Sequence, residues 1–222
     1  MSKLAFIFPG QGAQKAGMGK DFYENSEAAR SFFDNAQKIL DFDLKEMCFG
    51  EHEELNLTEY TQPCMVSVCL AIVQELKKRG INPDITAGLS LGEYAAVAAA
   101  GGMNELDAIK LVRRRGILMQ STVPAGEGAM AAVLGLDAKK IEEILESFEN
   151  VWIANYNCPG QIVITGLTSE VQQASIALKE AGAKRVVELK VSGPFHSLLL
   201  KPAGEALLQE MESMSFSPLQ VP

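Results

Sequence analysis

The chain has 222 residues, 47% of them hydrophobic and 22% charged, and it carries a formal net charge of −8. Such a composition excludes a disordered chain or a coiled coil, and the acidic balance argues against nucleic acid, whose phosphates need a basic surface. The longest apolar runs are too short to cross a membrane and no secretory signal pattern is present, so we expect a cytoplasmic protein without a membrane partner.

The first predicted element is an apolar strand over residues 3–8, followed by a loop that contains Pro9, Gly10, Gln11 and Gly12. A continuous apolar run is typical of a buried parallel strand, and a glycine-rich loop after it presents backbone amides to a ligand. Neither phosphate-loop pattern is complete, because the required glycines are replaced by Lys15 and Gln14. We therefore predict a ligand-facing loop that does not bind a nucleotide, with Gln11 among its exposed amides.

The four cysteines stand at positions 48, 64, 69 and 158, without the spacing of a redox or metal-binding motif. We expect four reduced thiols and no metal site.

Residues 88–92 read Gly-Leu-Ser-Leu-Gly and match the Gly-x-Ser-x-Gly nucleophile elbow. A turn and short strand precede them at residues 83–87, and an alanine-rich helix former follows at residues 93–100. The pattern makes Ser90 the candidate nucleophile, and an oxyanion forming beside it would meet the amide of Leu91. The alternative is a serine that only caps a helix after a glycine turn.

A serine nucleophile needs a base, and the chain has two histidines. His52 lies among glutamates, which indicates a solvated acidic surface. His196 follows Gly193, Pro194 and Phe195 in a turn between a strand-like run and a helix-like run. We therefore predict His196 as the base, with a purely structural histidine as the alternative.

Together these segments resemble the malonyl-CoA:acyl carrier protein transacylase family, which is related to the acyltransferase domains of polyketide and fatty acid synthases. Five motifs carry the resemblance and follow one another in family order. They are Phe-Pro-Gly-Gln-Gly at residues 8–12, Gly-Leu-Ser-Leu-Gly-Glu-Tyr at 88–94, Arg-Gly-Ile-Leu-Met-Gln at 115–120, Asn-Tyr-Asn-Cys-Pro-Gly-Gln at 155–161 and Gly-Pro-Phe-His-Ser at 193–197.

The resemblance implies an acyltransferase of fatty acid biosynthesis that works in two steps. Ser90, deprotonated by His196, would take the malonyl group from malonyl-CoA and pass it to the phosphopantetheine thiol of acyl carrier protein. The amides of Gln11 and Leu91 match the family's oxyanion hole. The expected partners are acyl carrier protein and a coenzyme A thioester, with no metal or redox cofactor. The resemblance does not distinguish a stand-alone enzyme from one that serves polyketide synthases in trans.

The resemblance also implies how the acyl group is selected. Arg115 matches the arginine that holds the malonyl carboxylate, for which a planar, permanently charged guanidinium is suited. Spacing alone cannot choose among Arg113, Arg114 and Arg115 on the predicted helix over residues 104–121. Arg113 and Arg114 could instead form a basic patch facing the carrier protein. Phe195 matches a position where a bulky side chain goes with malonyl rather than branched acyl groups.

Residues 128–190 show the pattern βαββαβ, which predicts a ferredoxin-like unit. Its strands are predicted at residues 129–134, 151–155, 161–165 and 184–190, and its helices at 137–147 and 168–181. We expect an α/β fold in which this small subdomain, residues 125–190, is inserted into a hydrolase-like subdomain with a parallel sheet. The large subdomain would comprise residues 1–124 and 191–222, with a hinge near residues 124–128.

Two departures from the family pattern concern the elbow and the end of the chain. Leu89 stands where many members have a histidine that is not the base. Family members continue beyond residue 222, so the resemblance implies a C-terminally truncated or partial chain whose sheet has an unpaired edge or is completed by a separate polypeptide. The truncation would also remove the acceptor that orients His196.

Two alternative functions stay open at the level of sequence. A serine hydrolase of the elbow type would need an acid between the serine and the histidine, and Asp107 and Asp137 both fall at predicted helix starts, where capping explains them. A non-catalytic module that holds coenzyme A or a carrier protein without turnover is the other alternative.

Overall fold

The computed structural model describes residues 3–124, 126–189, 191 and 193–222. Ala125, in the predicted hinge, Lys190, at the end of a predicted strand, and Ser192, in the predicted turn before His196, lie outside the described residues. The chain forms two compact units, the first made of Met1–Ile117 and Leu207–Pro222 and the second of Leu118–Ala206. The subdomain boundaries expected from the sequence stay a prediction.

The first unit contains two strands and most of the helices. In chain order its elements are β1 (Ala5–Phe8), α1 (Lys20–Asn25), α2 (Glu27–Gln37), α3 (Leu44–Phe49), a 3₁₀ turn (Glu53–Asn56), α4 (Thr58–Lys78), β2 (Ile85–Gly88), α5 (Gly92–Ala99) and most of α6 (Glu105–Thr122). The last turns of α9 (Lys201–Glu212) also belong to it.

Helix α4 runs through the core of the first unit and is buried along most of its length. No helix is predicted from the sequence between residues 20 and 80, where α1 to α4 lie. For α4 the physical reason is that a helix buried on several faces lacks a clear apolar stripe, so its 3.6-residue period is weak. Helix α2 does carry such a stripe, formed by Ala29, Phe32, Phe33 and Ala36. Pro63, a residue that usually breaks helices, also lies inside α4.

Strands β1 and β2 pair in parallel, with Phe8 opposite Gly88 at their carboxyl ends. The loop after β1 and the turn after β2 therefore leave the same edge of this sheet. One face of the sheet packs on the core through Phe6 and Phe8, whereas Ile7 and Ile85 on the other face are 78% and 42% exposed. Parallel sheets are usually covered on both faces, so this exposed apolar face is unusual.

The second unit contains the βαββαβ order that the sequence predicted. Its elements are β3 (Gly128–Leu134), α7 (Ala138–Leu145), β4 (Val151–Cys158), β5 (Gln161–Leu167), α8 (Thr168–Glu180) and β6 (Arg185–Glu188). The strands form one antiparallel sheet in the order β4-β5-β3-β6. The element types agree with the predictions, and the largest differences are a longer β4 and shorter α7 and β6. The chain is thus an α/β protein with one parallel and one antiparallel sheet.

The antiparallel sheet is covered on both faces. Alternate residues of β3 point to opposite sides, so that Ala131 and Val133 pack under α7 and α8 while Met130 and Ala132 pack with Phe195. In the described part of the chain no helix is long and apolar enough to span a membrane. All four cysteines are free thiols, and burial raises the pKa of Cys69 to about 11.

Candidate active site

Ser90 occupies a strained turn between β2 and α5. Its φ angle is 52°, in the left-handed region that non-glycine residues rarely adopt. Among the residues that the structure describes, one other non-glycine residue has a positive φ, namely His196 at 60°. Strained backbone of this kind is concentrated at functional sites, where the surrounding structure holds it in place. The two residues predicted as nucleophile and base are thus the two with this feature.

The two glycines of the elbow are required by close packing. A Cβ atom at Gly88 would lie 2.1 Å from the carbonyl carbon of Gly92, and one at Gly92 would lie 2.3 Å from the carbonyl oxygen of Phe8. Real Cβ atoms do not approach backbone so closely. The elbow therefore brings the start of α5 directly against β1 and β2, and the amide of Leu89 donates to the carbonyl of Phe8 at 3.1 Å.

The amides of Gln11 and Leu91 lie on the two segments that leave the same edge of the parallel sheet. Leu91 immediately precedes α5 and is 1% exposed. Neither amide donates a hydrogen bond to another residue in the described ranges. The first amides of a helix have no partner within the helix and carry a partial positive charge, so the amide of Leu91 is suited to receive an anion.

Side chains that no sequence motif marks join the loop after β1 to the start of α4 and to the 3₁₀ turn before it. The Gln11 side-chain amide donates to the Thr58 hydroxyl at 3.2 Å, and that of Gln14 donates to Asn56 Oδ1 at 3.1 Å. The Oε1 atom of Gln14 accepts the Gly12 amide at 2.7 Å. The partners in the two bonds to Thr58 and Asn56 are more than 40 positions apart in the chain, so no local pattern could have revealed them.

The three consecutive arginines of α6 have different surroundings. Arg113 is buried and Arg114 is half-exposed, with its guanidinium bound to Glu210. The Arg115 guanidinium carbon lies 5.4 Å from the ring centroid of Tyr94, and Arg115 forms no ion pair within the described ranges. Burial is the main influence on Arg115 and lowers its pKa. Arg115 is therefore a partly buried cation that forms no ion pair in the described ranges, with the Glu93 carboxylate near enough to act on it electrostatically.

Arg113 is the centre of an internal network. It binds Asp41 through two hydrogen bonds of 2.9 Å, and its Nη1 donates to both the carbonyl and the carboxylate of Glu59. Its guanidinium also lies over the rings of Phe42 and Tyr60. The side chain is 11% exposed. The suggestion that Arg113 belongs to a surface patch for a carrier protein is therefore wrong, because its donors are already used inside the first unit.

We expect Arg113→Met to lower the free energy of unfolding by about 1–3 kcal/mol, because it leaves Glu59 partly buried without its partner. Arg113 also holds the pKa of Asp41 below its usual range, so the contribution of this pair is present at neutral pH and is lost as the pH falls through that lowered pKa. Urea unfolding at pH 7 measures the loss. Arg114→Ala is the matched control, with an expected change within about 0.5 kcal/mol. Equal stability of both variants would contradict the structural role of Arg113.

His196 and Phe195 lie in the second unit, on a constrained turn. The Phe195 amide donates to the Gly193 carbonyl at 3.0 Å, and the Ser197 hydroxyl donates to the Pro194 carbonyl at 2.7 Å. Phe195 is 8% exposed and packs with the sheet of this unit, whereas His196 is exposed. Hydrogen bonds and the packing of Phe195 thus hold the turn in place, while the side chain of His196 is exposed to solvent.

The competing acids and the second histidine have structural explanations. The side chain of Asp137 caps α7 by accepting the amide of Lys139. Asn104 caps the start of α6, and Asp107 in its first turn pairs with Lys110. His52 contacts Glu46, as expected for a polar surface. Over the described ranges no group of three or more side chains has the arrangement of a metal site.

Comparison with known proteins places these features in a family. The family described as "Acyl transferase domain" matches residues 5–222. Malonyl CoA-acyl carrier protein transacylase from Bacillus subtilis (strain 168) is 48% identical over 227 residues, which cover 100% of this chain and 72% of that protein.

Solved structures give the same relationship. An acyl carrier protein S-malonyltransferase from Vibrio cholerae superposes with a TM-score of 0.94 at 41% identity, covering 100% of this chain and 74% of the other. A malonyl-transacylase in complex with a type II polyketide synthase acyl-carrier protein has a TM-score of 0.95 at 40% identity, covering 100% and 73%. The chain therefore belongs to the malonyl CoA-acyl carrier protein transacylase family of acyl transferases.

Proposed function

We propose that this chain transfers a malonyl group from malonyl-CoA to the phosphopantetheine thiol of acyl carrier protein in fatty acid biosynthesis. The observation that carries the proposal is the positive φ of both Ser90 and His196, at the two positions where the elbow and base motifs fall. A helix-capping serine needs no such strain, because capping residues adopt extended backbone angles. The strain is consistent with a hydroxyl held out of the turn for reaction.

In the first step, the Ser90 hydroxyl attacks the thioester carbonyl while its proton passes to the His196 imidazole. A bond forms between Oγ and the carbonyl carbon, and the negative charge on the carbonyl oxygen is stabilised by the amides of Gln11 and Leu91. The carbon–sulfur bond then breaks, and coenzyme A leaves with the proton from His196. In the second step, the carrier thiol gives its proton to His196 and its sulfur attacks the carbonyl carbon of the malonyl-serine ester. The bond from that carbon to Ser90 Oγ then breaks, and His196 returns the proton to Ser90.

The malonyl carboxylate is assigned to Arg115. A partly buried guanidinium that forms no ion pair in the described structure, and is attracted only electrostatically by Glu93, still gains from an anionic ligand. Arg113 and Arg114 are already bound to acidic groups of the protein. The role of Phe195 in limiting how branched the transferred acyl group can be stays a prediction.

We also propose the type of each subdomain, the cofactor requirement, the partner and the location of the protein. The order βαββαβ and the sheet order β4-β5-β3-β6 support a ferredoxin-like small subdomain, and the elbow between β2 and α5 supports a hydrolase-like large one. The chemistry requires no metal or redox cofactor. Acyl carrier protein is the proposed partner and the cytoplasm the proposed location.

Intact-mass spectrometry of the chain after incubation with malonyl-CoA tests the proposal. We expect the mass to increase by one malonyl group, and the added mass to disappear when carrier protein with its phosphopantetheine arm is added. A serine hydrolase would release malonate to water without a carrier. A binding module would never become acylated, and an unchanged mass under conditions where malonyl-CoA binds would refute the transferase.

A further inference from the structure

The loop from Pro9 to Ala16 carries one of the two proposed oxyanion donors, and a glycine follows that donor directly. Gly12 has a φ of 109°, and a Cβ atom there would meet nothing within 4 Å. Glycine gives the backbone freedom to move as well as to bend. An oxyanion donor is effective only when it is held within about half an ångström of its working position. Something other than local backbone preference must therefore hold the amide of Gln11.

Two side-chain tethers reach from this loop, one to the first residue of α4 and one to the 3₁₀ turn before it. The first is the bond from Gln11 Nε2 to the hydroxyl of Thr58, and the second is the bond from Gln14 Nε2 to Asn56. Gln14 also accepts the amide of Gly12 through its Oε1 atom, so one side chain connects the backbone beside Gln11 to a separate segment. An amide side chain suits this position because it donates and accepts at once.

The anchor of the first tether is closely packed. Thr58 is the first residue of α4 and is fully buried. Arg113 binds the carbonyl of the next residue, Glu59, at 2.8 Å. A Cβ atom at Gly116 would lie 2.8 Å from the carbonyl of Thr58, so α6 packs directly against this helix start. The start of α4 is thus fixed by packing, and it transmits that rigidity to the loop through Gln11.

We propose that Gln14, Asn56 and Thr58 are positioning residues that hold the Gln11 amide in place for the transition state. Gln14 acts through Asn56 and the Gly12 amide, and Thr58 acts through the Gln11 side chain. None of their side chains needs to touch the substrate. Their role depends on the proposed function, since the position of Gln11 matters only if its amide receives the oxyanion. Loss of a tether should slow acylation of Ser90 without weakening substrate binding.

The test measures acylation of Ser90 in Gln14→Leu, which lies on the surface, and in Thr58→Val, which keeps the shape but removes the hydroxyl. At saturating malonyl-CoA we expect the acylation rate to fall between about tenfold and about a hundredfold, below the ~10²–10³ typical for loss of a whole oxyanion donor. KM should change by less than about twofold, because an interaction made only in the transition state lowers kcat and kcat/KM together. Thr58→Ser should restore the rate, and Gln172→Leu on α8 is the matched control.

A second reagent separates this inference from the malonyl specificity. An alkyl fluorophosphonate forms a bond between phosphorus and Ser90 Oγ and releases fluoride, while the serine proton passes to the base. Its phosphoryl oxygen requires the same donors, so the reaction rate should fall in both variants as acylation does. Circular dichroism confirms that each variant is folded.

Each outcome supports or refutes the positioning role, the proposed function or both. Unchanged rates with either reagent, or a rise in KM alone, would overturn the positioning role. If the unaltered chain reacts with the fluorophosphonate but not with malonyl-CoA, the proposed function fails, and the fluorophosphonate rates of the variants still decide the role of the tethers. If neither reagent modifies Ser90, both proposals are wrong.

Discussion

Replacing Ser90 with alanine is expected to abolish covalent acylation by malonyl-CoA, because no other group at the elbow can accept the acyl chain. Ser90→Gly should be equally inactive but more stable than Ser90→Ala by about 1 kcal/mol, since the φ of 52° penalises any residue with a Cβ atom. Intact mass gives the acylation and urea unfolding gives the stability. Malonyl label retained on Ser90→Ala would overturn the nucleophile.

The same experiment on His196→Ala separates the base from the nucleophile. Loss of a general base typically costs about 10²–10⁴ in rate, so acylation should be slow but measurable. His52→Ala is the control, because the His52 ring contacts Glu46 on a polar surface of the first unit. This variant should be acylated at the same rate as the unaltered chain. Equal rates for the two histidine variants would remove His196 from the mechanism.

Replacing Arg115 with alanine is expected to reverse the preference for malonyl over acetyl groups. Without the cation of Arg115, transition-state binding of the malonyl carboxylate is weakened by about 2–4 kcal/mol. The ratio of kcat/KM for malonyl-CoA to kcat/KM for acetyl-CoA should therefore fall roughly 30- to 1000-fold. Acetyl transfer should change little, because an acetyl group has no charge to pair. Arg115→Lys keeps the charge but not the planar fork, so an intermediate ratio is expected.

Arg114→Ala is the matched control for this experiment. Arg114 is adjacent to Arg115 in sequence, but it lies on the surface and binds Glu210. We expect it to leave the malonyl-to-acetyl ratio of the acylation step unchanged. The measurement is acylation of the chain by malonyl-CoA and acetyl-CoA under equal conditions. A ratio that falls as far in Arg114→Ala as in Arg115→Ala would show that the effect is one of general charge, and would refute the assignment.

The roles of Arg113 and Arg115 could not be distinguished by residue type and spacing in the sequence. Both residues lie on α6, and their types and spacing are compatible with either role. Arg113 is bound to Asp41, 72 positions away in the chain, while Arg115 lies beside Tyr94 on another helix. Only the packing of distant segments distinguishes an arginine that already has acidic partners from one that still lacks them. The family motif indicated Arg115, and the surroundings supply a physical reason.

The sequence by itself determined the features that depend on neighbouring residues. The elbow at residues 88–92, the strands and helices from residue 128 to 188 and the turn before His196 follow from local patterns of glycine, apolar and turn residues. Local patterns are sufficient there because short-range backbone geometry and alternating burial decide the structure.

Only the tertiary structure decided what depends on residues far apart in the chain. Helix α4 was not predicted, because burial on several faces removed the period by which an amphipathic helix is recognised. The tethers from Gln11 and Gln14 to the start of α4 join positions more than 40 residues apart, and the state of Arg115 depends on which carboxylates the fold brings near. Such contacts come from the packing of whole elements, which sequence spacing alone does not encode.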